Sequence, residues 1–201
     1  MSTKRNLDLQ AILNVAAELV EEKGLENVTL LQVAERLGVK SPALYNHLNG
    51  LKELSSGIAS MAVNRLADTL RAAAVGRSGA EALLAMARSY RQFAKENPEL
   101  YKAILRFPTC ADQGVQETGH AVVQILYQVL EPYACSREEV LHFARGFRSV
   151  LHGFVALEEA GFFQDAAADV EVSFERLVLR WISTLTRSEE HTSELQSPYV
   201  I

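Results

Sequence analysis

The chain has 201 residues, 48% of them hydrophobic, and a formal net charge of −5 at neutral pH. That length holds one large domain or two small ones with a real core, and the negative balance excludes a polycation that coats nucleic acid or membrane by charge alone. No run approaches the about 18 apolar residues of a membrane span, and the polar, then amphipathic start does not read as a secretory leader, so a cytoplasmic protein with no membrane partner is expected.

Residues 7–24 (LDLQAILNVAAELVEEKG) read as an amphipathic helix. Leu9, Ile12, Leu13, Ala16, Leu19 and Val20 share one face, and Gly24 closes it. Lys4 and Arg5 precede it, either as a short arm for phosphate or the minor groove or as a frayed terminus.

Residues 29–48 (TLLQVAERLGVKSPALYNHL) read as two short helices joined by a tight turn. Thr29 is a good N-cap, and Gln32, three residues on, completes a capping box. Leu30, Val33, Ala34 and Leu37 recur at helical spacing. Gly38 stands where helices end in a left-handed turn, and Val39 plugs the corner. Ser41 is the expected second N-cap, with Pro42 at the first helical position. Leu44 and Leu48 face the core, which leaves Ser41, Pro42, Ala43, Tyr45, Asn46 and His47 outward.

That outward set suits a DNA groove. Ser, Tyr and His hydrogen-bond phosphate oxygens, and a helix N-terminus favours an anion. Pro42 and Ala43 are small enough for close approach to base edges and thymine methyls, and Asn46 can bond a base or a phosphate. From Arg36 to Lys52 there are three basic residues and no acid before Glu53, although residues 1–55 as a whole are near neutral. Affinity must therefore come from local placement and dimerisation. The same pattern also fits an ordinary helical hairpin on a solvent face.

A long helix runs from Leu51 to about Ala74, and Gly76–Gly79 marks a break. Helices follow over 79–97, 98–107, 120–130, 136–160 and 169–185, separated by Pro98, Pro108 and Pro132 and a turn-rich stretch at 109–119. No strand pattern and no repeat appear. Met86, Tyr90, Phe93, Tyr101, Phe107, Tyr127 and Phe147 recur on the middle helices. Most such residues pack a core; Tyr90, Tyr127 and His152 are the polar candidates for the wall of a ligand chamber.

The last two helices carry more apolar surface than one side needs. Gly146, Val150, Gly153, Phe154 and Leu157 on the first, with Phe174, Leu177, Val178 and Trp181 on the second, suit a four-helix dimer interface. The alternative is that they close the chain's own core.

Nothing reads as catalytic. There is no glycine-rich phosphate loop and no metal-spaced Cys/His cluster, and Cys110 and Cys135 are expected as reduced thiols. His142 and His152 lie about 15 Å apart by helical rise, too far to share a metal. Glu158 and Glu159 are adjacent and splay apart. No catalytic residue, metal or cofactor is therefore expected. Residues 187–197 (RSEEHTSELQS) break with the composition before them and equal the in-frame translation of a common short-read sequencing adapter. Residues 187–201 are expected to be a non-native tail that replaces the true C-terminal end from near Thr186 onward.

Over residues 7–58 the chain resembles the N-terminal domain of TetR-family transcriptional regulators. V-T-x-x-x-V-A-x-x-L-G-V followed by L-Y-x-H-L carries the resemblance. It implies an all-α protein: a three-helix helix-turn-helix DNA-binding domain at 1–55, a linker helix at 51–74, and a helical effector-binding and dimerisation domain at 76–186. It implies that Thr29, Ser41, Pro42, Ala43, Tyr45, Asn46, His47 and Lys52 face DNA. Many members carry lysine where this chain has Leu51; here the lysine is one later, at Lys52. A second resemblance, in RSVLHGFVALEEAGFF, is to TetR-type C-terminal domains with a Trp-His-Gly signature, Leu151 standing in the tryptophan's place before His152 and Gly153. The expected function is a homodimeric repressor on a palindromic double-stranded DNA operator, released by an unknown small-molecule effector. The effector pocket is expected among Met86, Tyr90, Phe93, Tyr101, Tyr127, Phe147 and His152. The alternative is a helical protein that acts through a protein partner.

Overall fold

The computed structural model describes residues 7–106, 122–133 and 135–185. Among them every regular element is helical: α1 (Leu9–Lys23), α2 (Leu30–Leu37), α3 (Leu51–Ala74), α4 (Gly79–Glu96), α5 (Pro98–Arg106), α6 (residues 122–129), α7 (Arg137–Glu159) and α8 (Val170–Ile182). Short 3₁₀ turns occupy Leu25–Asn27, Ser41–Asn46 and Glu131–Tyr133. Lys4, Arg5, Phe107, Cys110 and the tail at 187–201 lie outside the described residues.

Two compact units emerge. One holds the described residues up to Asp68 together with Phe93 to Arg106; the other holds Thr69–Gln92 and the described residues after position 121.

The first unit is built on α1. Asp8 caps it by accepting from the Ala11 amide. Ile12, Ala16, Ala17, Leu19 and Val20 are buried, joined by Val33 and Ala34 of α2, Leu44, Leu48, and Leu54, Ile58 and Ala62 of α3. Leu9, expected on this face, is 43% exposed. It is the first helical residue, and Leu7, one place before the cap, packs on the cluster containing Ile12 in its stead, as a hydrophobic staple does. Gly57 lets α1 and α3 approach closely: a Cβ there would stand 2.6 Å from Leu13 Cδ2.

Helix α5 belongs to this unit despite its distance in sequence. Leu100 and Ala103 are buried in the same cluster. Glu21 of α1 accepts from the Leu100 amide at 2.7 Å and the Glu99 amide at 3.3 Å, capping the helix from outside. Glu99 in turn accepts from the Leu25 amide at 3.4 Å and from Lys102 Nζ at 2.8 Å. Two carboxylates thus answer amides at each other's helix ends.

In the second unit α7 begins with a complete capping box, Ser136 with Glu139, and α8 with Asp169, which accepts from the Glu171 and Val172 amides. Among the described residues of this unit, Arg91 of α4 is the one buried charged side chain. Its guanidinium pairs bidentately with Glu158 of α7 (2.7 Å each) and with Glu171 of α8 (2.5 Å), and lies over the rings of Phe154 and Phe174. The Glu158 bonds raise the arginine's pKa further, so the charge is permanent.

Part of the expected interface lies at this hub. Phe154, Phe174 and Val178 are buried within the chain's own core at 8%, 0% and 0% exposure. The two rings pack edge to face at 5.0 Å beneath the arginine, so they already have an apolar seat within one chain. Leu157 and Leu177 do remain exposed. Trp181 is half-buried over Gly146 and beside Phe143.

Candidate nucleic-acid interface

Helix α2 is set as its sequence dictates. Thr29 Oγ1 accepts from the Gln32 amide, Gln32 Oε1 accepts from the Thr29 amide, and Gly38 ends the helix at φ 70°. Thr29 is exposed, but its hydroxyl is already engaged as a cap.

The second helix differs from expectation. Ser41–Asn46 is a 3₁₀ helix whose N-cap position is Lys40, with no side-chain capping bond; Ser41 is its first residue instead. Ala43 donates to Lys40 O and His47 to Leu44 O, both three residues back. The segment closes on these three-residue bonds until the Leu48 amide reaches back four residues to Leu44 O at 3.1 Å. Side chains three apart then eclipse. Ser41, Leu44 and His47 form the inner row, with Leu44 fully buried and the other two half-buried. Pro42 and Tyr45 form an exposed row, with Tyr45 at 58%, and Ala43 and Asn46 lie beside it.

The charge pattern also differs. Arg36 donates to both oxygens of Glu22 on α1, at 3.0 and 2.7 Å. That hydrogen bonding holds the Glu22 carboxyl below its usual pKa. Arg36 is thus matched by an acid, and the exposed cations flanking the segment are Lys40 and Lys52. The exit to α3 is closed by Glu53, whose Oε2 accepts from the Asn49 amide at 2.6 Å and from Asn49 Nδ2 at 2.8 Å. Gly50, between them, has φ 117°, which a residue with a side chain rarely adopts.

The residues expected around an effector fall in both units. Met86, Tyr90 and Phe147 are buried in the second, where Tyr127 and His152 are half-buried; Phe93 and Tyr101 are buried and belong to the first. The Tyr127 hydroxyl donates to the Arg137 carbonyl at 3.2 Å, so it serves the start of α7. Sequence reasoning missed Arg91, Glu21 and the Asn49–Glu53 pair. Arg91 left a signal, a charge four residues after Ala87 within the apolar stripe of α4, and Asn49 and Glu53 stand four apart at the start of α3, a readable local spacing; the partners of Arg91 and Glu21 come from distant sequence and could not be read.

A family model described as bacterial regulatory proteins of the tetR family matches residues 12–50, and one described as tetracyclin repressor-like, C-terminal domain, matches residues 83–180. The chain is 32% identical over 158 residues to an uncharacterized HTH-type transcriptional regulator of Bacillus subtilis, covering 78% of this chain and 82% of that protein. The chain belongs to the TetR family of transcriptional regulators. A Mycobacterium tuberculosis HTH-type regulator is 30% identical over 187 residues, covering 92% of this chain and 84% of its own length. Among solved structures, a protein of unknown function from Rhodococcus sp. RHA1 shares the fold with a TM-score of 0.73 at 23% identity, over 94% of this chain and 98% of that one. A TetR from Acinetobacter baumannii AYE does so at 0.65 and 20% identity, over 90% and 98%; a variant of it has been solved with minocycline. Like its family, the chain is a DNA-binding regulator and not an enzyme. Among the described residues no helix is long and apolar enough to cross a membrane.

Proposed function

We propose that this TetR-family chain acts in the cytoplasm as a homodimeric repressor whose two Ser41–Asn46 segments enter successive major grooves of a near-palindromic operator, about 34–36 Å apart. The observation that carries the reading is the outward row of Pro42 and Tyr45 beside Ala43 and Asn46, flanked by Lys40 and Lys52. Tyr45 and Asn46 supply hydrogen bonds to phosphate or base edges, and Pro42 and Ala43 allow close approach. Thr29, Ser41, His47 and Lys52 complete the DNA-facing set. Domain limits of 1–55 for DNA binding and 76–186 for effector binding and dimerisation accompany this reading, with Leu157, Leu177 and Trp181 at the dimer face. A small molecule bound among Met86, Tyr90, Tyr127, Phe147 and His152 of the second unit favours a dimer whose segments are mis-spaced. Effector and operator then weaken each other reciprocally.

The test is a duplex enriched by the wild-type protein from a random pool. Tyr45→Ala is expected to weaken binding to it by roughly tenfold or more while sedimentation still reports a dimer. Unchanged affinity would remove Tyr45 from the interface.

A further inference from the structure

The first turn of α3 carries a carboxylate that the DNA-binding reading leaves unused: Glu53, beside the exposed Leu51 and Lys52, is turned back onto Asn49. The carboxylate oxygen takes two donors from one residue, a backbone amide and a side-chain amide. Both are charge-assisted and short, the strong kind of hydrogen bond. They span the bend between His47, which ends the 3₁₀ segment, and the start of α3. At the middle of that bend Gly50 holds φ 117° with nothing within 4 Å of the place a Cβ would take, and its carbonyl accepts from the Leu54 amide at 3.1 Å. A glycine left to itself samples many conformations. The Leu54 amide holds the Gly50 carbonyl on the α3 side, and the Glu53–Asn49 pair restrains the side toward the 3₁₀ segment.

Leu48 and Leu54 bury on either side of the bend and anchor its ends. The direction in which His47, Asn46 and Tyr45 leave the core is therefore set relative to α3 by the bend's own conformation. We infer that Glu53 is a positioning residue for operator recognition: through Asn49 it fixes the bend that aims Tyr45 and Asn46. This inference rests on the DNA-binding reading. The same carboxylate places a negative charge beside Lys52, on a surface that meets a phosphate backbone. Glu53 thus has two separable effects, a geometric one that only a sequence-specific complex feels and an electrostatic one that every duplex feels.

The two effects separate by substitution. Glutamine keeps an acceptor oxygen for Asn49 and loses the charge; alanine loses both. Each variant is titrated against the enriched duplex and a scrambled duplex of the same composition, at several salt concentrations. Glu53→Gln is expected to tighten binding to both duplexes by a similar factor, roughly twofold to fivefold, and to leave their ratio unchanged. Glu53→Ala is expected to tighten the scrambled duplex as much while the ratio of the two affinities falls by about tenfold. Asn49→Ala, with the charge kept, is expected to lower the ratio without tightening the scrambled duplex. A ratio unchanged in Glu53→Ala, or lost equally in Glu53→Gln, overturns the inference. If the wild-type protein enriches no duplex at all, the DNA-binding reading itself fails, which is a different result. Equal melting temperatures across the three variants show that the fold is not what changes.

Discussion

At the level of single residues, a few side chains decide how a common helical pattern is used. The 3₁₀ form of Ser41–Asn46 keeps Tyr45 and Asn46 outward and lines Ser41 and His47 up with Leu44, so that both are half-buried where full exposure was expected. Gly146 shows the opposite economy. A Cβ there would overlap the Trp181 ring at Cζ2 and Cη2, both rigid atoms of a half-buried indole. The indole Nε1 is itself enclosed with no hydrogen-bond partner among the described residues. Gly146→Ala is expected to push the ring off its seat and cost about 1–3 kcal/mol by overpacking. Trp181 is the sole tryptophan of the chain, so a shift in intrinsic emission reports the displacement directly. A lowered denaturation midpoint with unchanged emission would place the strain elsewhere.

At the level of elements, the carboxylates of Glu21 and Glu99 bind α5 to α1. Hydrogen bonding from Lys102, and then from the Leu25 amide, holds the Glu99 carboxyl below its ordinary pKa. A depressed carboxyl contributes stability that is complete above its unfolded pKa and is lost as pH falls through its folded pKa. The wild-type protein is therefore expected to lose stability on acidification from mildly acidic pH downward, and Glu99→Gln to lose less of it over the same interval. Denaturant melts at a series of pH values check this. Equal acid sensitivity in the two proteins would mean that Glu99 does not contribute. The capping boxes of Thr29 and Ser136 are local by comparison, each worth about 1 kcal/mol to its own helix.

At the level of the whole molecule, net charge and assembly govern what the chain can do. A protein at −5 gains little from long-range attraction to DNA, and the Arg36–Glu22 pair removes one more cation from the local balance. In the proposed dimer two linked recognition segments compensate, since the second binds at the high effective concentration set by the first. Leu177 on α8 is 37% exposed and Leu157 on α7 46%, beside a core already closed by Phe154, Phe174 and Val178. Leu177→Glu is expected to give monomers by sedimentation, with helical content kept and binding to the enriched duplex lost. A dimer that persists in this variant would move the interface away from that edge of α8.

Periodicity, caps and glycines made the helices of this chain legible without coordinates, because those signals act within a few residues of one another. Thr29 with Gln32, Gly38, Ser136 with Glu139 and the apolar stripe of α1 are all of this kind, and so is the family resemblance of residues 7–58. The form of the Ser41–Asn46 segment was only half legible: Pro42 was visible, but its effect depends on where Leu44 and Leu48 are drawn. Three features were decided by tertiary structure alone: the seat of Arg91 between Glu158 and Glu171, the burial of Phe154 and Phe174 beneath it, and the docking of α5 on α1 through Glu21. Each joins residues far apart in the chain, and a hydrogen bond or a ring contact leaves no mark on the spacing of the residues that make it.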